Sequence, residues 1–217
     1  MKTALIAGAS GLIGSALINK LISSDQYQLI YSITRNHSKI INPKLREIVT
    51  DFDHLSELKL DEPINDVFCT LGTTIKKAGS RKNFKKVDFQ YILDLAILAK
   101  QAGASKFLVV SSMGANPKSA VFYNQVKGQT EEALKIIGFD QLVILRPSLL
   151  LGKRLEFRFA EKLSSIFMKA FNFIIPDNYK AIPGEKVADY MLQMARNSTK
   201  PVSVIASGEM LRLTASD

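Results

Sequence analysis

Three side chains in one stretch of this sequence have the types and spacing for proton transfer to a carbonyl oxygen. Tyr123 and Lys127 are four residues apart, so on a helix they share a face and both reach one ligand. A tyrosine hydroxyl ordinarily titrates near pH ~10, but a neighbouring ammonium favours the phenolate. Lys127 supplies that ammonium, and its other protons are available to ribose hydroxyls. Upstream, the apolar run Phe107-Leu108-Val109-Val110 ends in Ser111-Ser112. Ser112 is placed beside the Tyr123 hydroxyl to hold a substrate oxygen, with the choice between the two serines open. A Tyr-x-x-x-Lys pair is common by chance. Its position after a strand-terminal serine pair, at the sheet edge where ligands bind, makes the combination specific.

A second constellation opens the chain. Leu5-Ile6-Ala7 runs into Gly8-Ala9-Ser10-Gly11-Leu12-Ile13-Gly14, an apolar strand turning through glycines into a helical pattern. Gly8 allows the tight turn, Gly11 lets the backbone approach a pyrophosphate, and Gly14 lets the helix pack on the strand. The helix N-terminus then presents free N–H groups to an anion. The spacing is Gly-x-x-Gly-x-x-Gly rather than the commoner Gly-x-Gly-x-x-Gly.

The end of the second strand selects the dinucleotide. It reads Ser32-Ile33-Thr34-Arg35-Asn36, with no carboxylate for a ribose 2′-OH and with Arg35, whose planar fork suits a 2′-phosphate. NADP(H) is therefore expected in preference to NAD(H). After the third strand, Asp51 is expected to accept from an adenine amino group, with Phe52 flanking the ring. Cys69-Thr70-Leu71-Gly72-Thr73-Thr74 follows the fourth strand, and its small residues fit backbone running close to the cofactor. Cys69 reads as a small buried hydrophobe and not a nucleophile, and His37 and His54 fall in solvated loops.

These residues need a scaffold, and the chain supplies a regular one. Strand-length apolar runs at Thr3–Ala7, Gln28–Thr34, Leu45–Val49, Asp66–Cys69, Lys106–Ser111, Leu142–Arg146 and Val202–Ala206 alternate with helical periodicity at Ile13–Ser23, Phe84–Gln101 and Tyr123–Ile136. The alternation predicts an α/β fold, a doubly wound parallel sheet with helices on both faces. No linker divides the chain, so residues 1–217 are read as a single Rossmann-like domain. Its character changes after Gly152, and residues 152–200 are read as a small helical segment on the substrate side. There the stripe of Phe157–Ile174 has core packing, the wall of an apolar pocket and a membrane-surface helix as alternatives. A further helix is expected over Glu185–Arg196.

Composition narrows the class. With 217 residues, 47% hydrophobic and 23% charged, the chain can bury a core of its own. A single cysteine excludes an internal disulfide, offers no metal cluster and fits a reducing, cytoplasmic setting. Met1-Lys2 before an apolar segment resembles a signal peptide, but glycine at every third position argues for the strand-to-helix turn instead. No segment approaches the roughly 20 apolar residues of a membrane span. The net charge of +9 is scattered, densest over Lys76–Lys86, and reads as a solvated face or as attraction for an anionic cofactor ahead of nucleic-acid binding. A small-molecule substrate is the expected partner, with monomer and dimer both open.

At this point the sequence resembles the short-chain dehydrogenase/reductase superfamily and, more narrowly, the Tat-interacting protein family of NADPH-binding oxidoreductases. The resemblance is carried by Gly8–Gly14, Asp51-Phe52, Leu71-Gly72-Thr73-Thr74 with Lys77-Ala78-Gly79, Val87-Asp88, Ser111–Ala115, Gln125-Val126-Lys127-Gly128, Arg146-Pro147 and Ile175-Pro176-Asp177, and spans nearly the whole chain. It implies an NADPH-dependent reductase in which Tyr123 is proton donor and acceptor and Lys127 binds the ribose. It further implies cofactor contacts from Ser10, Gly11, Leu12, Ile13, Arg35, Leu71, Gly72, Leu150 and Arg158. Two departures stand out: Asn36 where the family can carry a second arginine, and Asp88 near the position of a relay asparagine in many relatives. An NADP-binding regulator that turns nothing over is the alternative class.

Overall fold

The computed structural model describes residues 1–152 and 176–212. Its strands are β1 Lys2–Ala7, β2 Tyr27–Thr34, β3 Leu45–Val49, β4 Asp66–Cys69, β5 Lys106–Val110, β6 Gln141–Arg146, β7 Leu150–Leu151, β8 Ile182–Pro183 and β9 Val202–Ala206. Seven of them form one sheet in the order β3-β2-β1-β4-β5-β6-β9, and every pairing in it is parallel. The short β7 and β8 pair separately. The helices are α1 Leu12–Ser23, α2 Ile75–Ala78, α3 Arg81–Lys85, α4 Tyr91–Gln101, α5 Phe122–Ile137, α6 Gly184–Asn197 and α7 Ser207–Leu211. A π-helical turn over Lys86–Gln90 joins α3 to α4.

The sheet forms where it does because its central strands are apolar on both faces, as parallel strands buried between helical layers must be. β1 sends Leu5 and Ala7 to one layer and Ala4 and Ile6 to the other, and β5 divides Phe107 and Val109 from Leu108 and Val110 in the same way. On one face Ile92, Leu95 and Leu98 of α4 pack with Leu134 of α5. Against the other face, α1 lays Ile13, Leu17 and Leu21, at four-residue spacing, beside Val187 and Met191 of α6. Leu17 is wholly buried, and truncating such a leucine to alanine costs about 2–5 kcal/mol.

The seven expected strands lie where the sequence placed them, to within a residue at either end. The expected helix over Phe84–Gln101 begins earlier, at Arg81, and contains the π turn. Elements too short to carry a period, α2, α7 and the β7–β8 pair, were not anticipated. The Phe157–Ile174 stripe and Arg158 lie outside the described residues. Among the described residues no helix is long and apolar enough to cross a membrane.

β1 has β2 on one side and β4 on the other. The chain first builds outward through β2 to β3, then crosses back to β4, so a crevice opens above the carboxyl ends of β1 and β4. Open parallel sheets bind ligands at such a reversal.

Candidate cofactor cleft and active site

The turn between β1 and α1 is close-packed in a way only glycine permits. Gly8 adopts φ +92°, and a Cβ there would fall 2.7 Å from the Thr70 backbone, while a Cβ on Gly14 would fall 2.1 Å from the Gly8 carbonyl oxygen. Thr70 closes this contact from β4: its N–H donates to Ala7 O at 2.9 Å and its hydroxyl to the same oxygen at 3.1 Å. The Gly11 N–H turns inward to Gly8 O, and Gly11 caps α1 with no side-chain partner. The first-turn amides of α1 therefore remain open to an anion.

A cleft of about 370 Å3 lies over this turn. Of the residues expected at the cofactor, Gly8, Ser10, Gly11, Arg35, Phe52, Leu71 and Gly72 line it. Others stand elsewhere. Gly14 sits behind the turn, Ile13 is buried in the α1–α6 layer, and Leu12 packs against Gly152 and Gly184. Leu150 pairs with Ile182. Asp51 does not line the cleft; its carboxylate meets His54 Nδ1 at 2.5 Å, a contact that holds His54 above the usual histidine value.

Thr70, Lys77, Asn83, Val87 and Tyr91 also line the cleft, and the sequence reading had not picked out their individual roles. Tyr91 packs on Phe52 with ring centroids 5.6 Å apart, which gives one end of the cleft an aromatic wall. The signal for Lys77 was present in the basic Lys76–Lys86 stretch, but a loop cannot be aimed from sequence. Open helix-terminal amides, cationic and aromatic side chains and, among the described residues, a lining without a carboxylate fit a dinucleotide.

Ser111 and Ser112 follow the end of β5, and Tyr123 and Lys127 lie on α5. Lys127, one helical turn after Tyr123, is buried, and its Nζ forms an ion pair 2.8 Å from Asp88 Oδ1. Burial opposes the charged form of Lys127, but the Asp88 carboxylate and the nearby Tyr123 and Cys69 outweigh it and raise the lysine above its ordinary value. Asp88 lies on the π turn and is wholly buried. Its Oδ2 accepts the Thr73 N–H at 2.9 Å, and its backbone carbonyl accepts the Thr130 hydroxyl at 2.8 Å. Asp88 thereby fastens α5 to the loop that carries Leu71 and Gly72. Beside Lys127, Gly128 lies where a Cβ would come within 2.2 Å of Pro117 N, so the Asn116-Pro117 loop is pressed onto α5.

The two serines differ. The Ser111 hydroxyl donates to Glu131 Oε1, and Glu131 is gripped in turn by Arg146 through Nε at 3.0 Å and a second, shorter bond. The Ser112 hydroxyl is buried with no hydrogen-bond partner among the described residues. Tyr123 is half-buried, its ring 5.3 Å from that of Phe84. Cys69 is fully buried, which pushes its thiol up to about 12.

A family profile described as NAD(P)H-binding matches residues 8–198. A short-chain dehydrogenase/reductase family oxidoreductase from Burkholderia thailandensis superimposes with a TM-score of 0.74 at 14% identity, over 99% of this chain and 94% of that one. The chain belongs to the NAD(P)H-binding family, and its fold is Rossmann-like. Within that family its relatives include the mitochondrial protein FMP52 of Meyerozyma guilliermondii, 31% identical over 99% of this chain and 95% of the relative. They also include the HTATIP2 protein of Rattus norvegicus, 34% identical over 96% of this chain and 84% of the relative.

Proposed function

We propose that the protein is an NADPH-dependent reductase of a carbonyl-type substrate. The observation that carries this reading is the unpartnered, buried Ser112 hydroxyl at the end of β5, with Tyr123 and Lys127 on the neighbouring α5. When bound, the cofactor supplies a hydride. Ser112 holds the substrate oxygen by a hydrogen bond, and the Tyr123 hydroxyl donates its proton to the alkoxide that develops there. Lys127 orients ribose hydroxyls and places its positive charge beside Tyr123. Arg35, lining the cleft where β2 ends, favours a 2′-phosphate over a bare ribose hydroxyl, which is the reason for choosing NADP(H) over NAD(H). Residues 152–200 are assigned to the substrate side of one domain. A cytoplasmic location is part of the same proposal, although the fungal relatives are named as mitochondrial proteins.

The test is NADPH oxidation by the wild type and by Tyr123→Phe over a panel of aldehydes and ketones. Loss of the proton donor should lower the rate about 10²–10⁴-fold. Equal rates would defeat the assignment.

A second reading, an NADP-binding regulatory protein without turnover, draws support from the Asp88 carboxylate. That group already satisfies the Lys127 charge and leaves Tyr123 without an unopposed ammonium. Tight NADPH binding with no oxidation of the cofactor across the panel, together with a partner whose affinity depends on NADP, would favour it.

A further inference from the structure

The charge of the cofactor cleft is one-sided. Among the described residues no acidic side chain lines it, whereas Arg35 and Lys77 both do. Several buried or half-buried cations elsewhere in the fold are held by carboxylates, among them Lys20 by Asp189, Lys127 by Asp88 and Arg146 by Glu131. Among the described residues the side chains of Arg35 and Lys77 have no hydrogen bond or ion pair, although both face a cleft built for an anion.

The side chain of Lys77 is exposed, but its backbone is fixed. Thr74 Oγ1 accepts the Lys77 N–H at 3.1 Å, Asn83 Nδ2 donates to the next carbonyl, Ala78 O, at 3.1 Å, and Ser80 Oγ accepts the Asn83 N–H at 3.1 Å. Phe84 then anchors this arm, wholly buried with ring centroids 5.9 Å from Phe122 and 5.3 Å from Tyr123. The arm runs from Thr73, next to Gly72, to Val87 and Tyr91, next to Phe52, and so follows the cleft along its length. The glycine turn lines the same cleft through Gly8, Ser10 and Gly11. Its helix has no basic side chain in the first turn, Leu12-Ile13-Gly14-Ser15, so amides alone meet the two negative charges of a diphosphate from that side. Arg35 is placed at the end of β2, across β1 from the strand that leads into the arm.

We propose that Lys77 is a cationic contact to the diphosphate of the bound dinucleotide, opposite the amides of the glycine turn. Arg35 is then left for the ribose 2′-phosphate. The Lys77 assignment needs only dinucleotide binding; the division of labour with Arg35 rests on the NADP reading above.

The test is a binding titration of the full chain with NADPH and with NADH, followed by calorimetry or cofactor fluorescence and independent of turnover. Lys77→Gln should weaken both cofactors by a similar factor, about fivefold at low ionic strength for an exposed ion pair, and less as salt is added. Lys77→Arg should restore most of the affinity. Lys76→Gln, one residue away and outside the cleft lining, should leave it unchanged. Unchanged affinity in Lys77→Gln would overturn the proposal, and so would an equal loss in Lys76→Gln, which would mark a general field effect. Weakening confined to NADPH would overturn it as well, because Lys77 would then sit at the 2′-phosphate. Wild-type protein that binds cofactor but reduces nothing would sink the reductase reading and leave the Lys77 result standing.

Discussion

Lys127 Nζ stands 2.8 Å from Asp88 Oδ1, and both side chains are almost completely removed from solvent. The relationship joins two elements that the sequence does not show to be neighbours, the π turn before α4 and the first half of α5. A π turn shifts side chains around the helix relative to a regular α-helix. Here the shifted stretch carries Asp88 inward, where one carboxylate oxygen takes the lysine and the other takes the Thr73 N–H. Lys127 is held in place through the same loop that lines the cleft.

A buried pair is costly to break from one side, because the remaining charge is left uncompensated. Asp88→Ala should therefore destabilise the protein by about 3–5 kcal/mol, read by urea unfolding. Asp88→Asn should cost less, since its amide oxygen can still accept from Thr73. Combining Asp88→Leu with Lys127→Met should recover most of the loss, as replacing both charges by apolar groups is often near neutral. Independent, additive losses in the double variant would refute the pairing.

The two serines should separate stability from chemistry. Ser111→Ala removes a donor from buried Glu131 and should cost about 1–3 kcal/mol. Ser112→Ala removes a hydroxyl that has no hydrogen-bond partner among the described residues. It should leave the unfolding midpoint nearly unchanged while lowering NADPH oxidation on whichever carbonyl serves as substrate. The reverse pattern would exchange their roles.

These contrasts mark how far the sequence could be read. The central strands were legible because each is a short apolar run buried on both faces, the edge strand β9 because its buried residues alternate with exposed ones, and α1 because Ile13, Leu17 and Leu21 repeat every fourth residue. The glycine turn was legible because its chemistry is local. What escaped was whatever depends on two distant segments meeting. Asp88 looked like a departure from a relay asparagine, and nothing in its own helix announces Lys127 as its partner. Asp51 looked available to an adenine, and the structure sets one of its carboxylate oxygens against His54, three residues on, outside the cleft lining. Lys77 was one basic residue in a stretch of them until the capped arm from Thr74 to Asn83 gave it a direction.

The glycine turn offers a graded test. Gly14→Ala would place a methyl 2.1 Å from the Gly8 carbonyl oxygen, and Gly8→Ala would place one 2.7 Å from Thr70 at a positive φ, whereas Gly11→Ala brings its methyl only to 3.2 Å from Gly8 O. The first two should yield protein that is several degrees less stable and no longer binds NADPH. Gly11→Ala should fold close to the wild type, and any loss it shows should be in cofactor affinity. Thermal melts with and without NADPH separate the cases, and a stable, cofactor-binding Gly14→Ala would contradict the packing described.

Alkaline titration should expose the Lys127–Asp88 pair by its sign. Lys127 has a folded-state pKa above the ordinary lysine value of 10.5, so the stabilisation it contributes is complete below that value and is lost as pH rises through the folded pKa. In Asp88→Asn the main opposing charge is gone and burial prevails, which lowers the folded pKa. In that variant Lys127 instead makes the protein more stable as pH rises from the lowered folded pKa towards the ordinary lysine value. The stability gap between wild type and Asp88→Asn should therefore narrow as pH is raised from 8 towards the lysine range. The other tyrosines and lysines titrate in both proteins, so they cancel in the difference. Urea unfolding of the two proteins in parallel at several pH values measures the gap, and a gap that stays constant would mean that Lys127 does not depend on Asp88 for its charge.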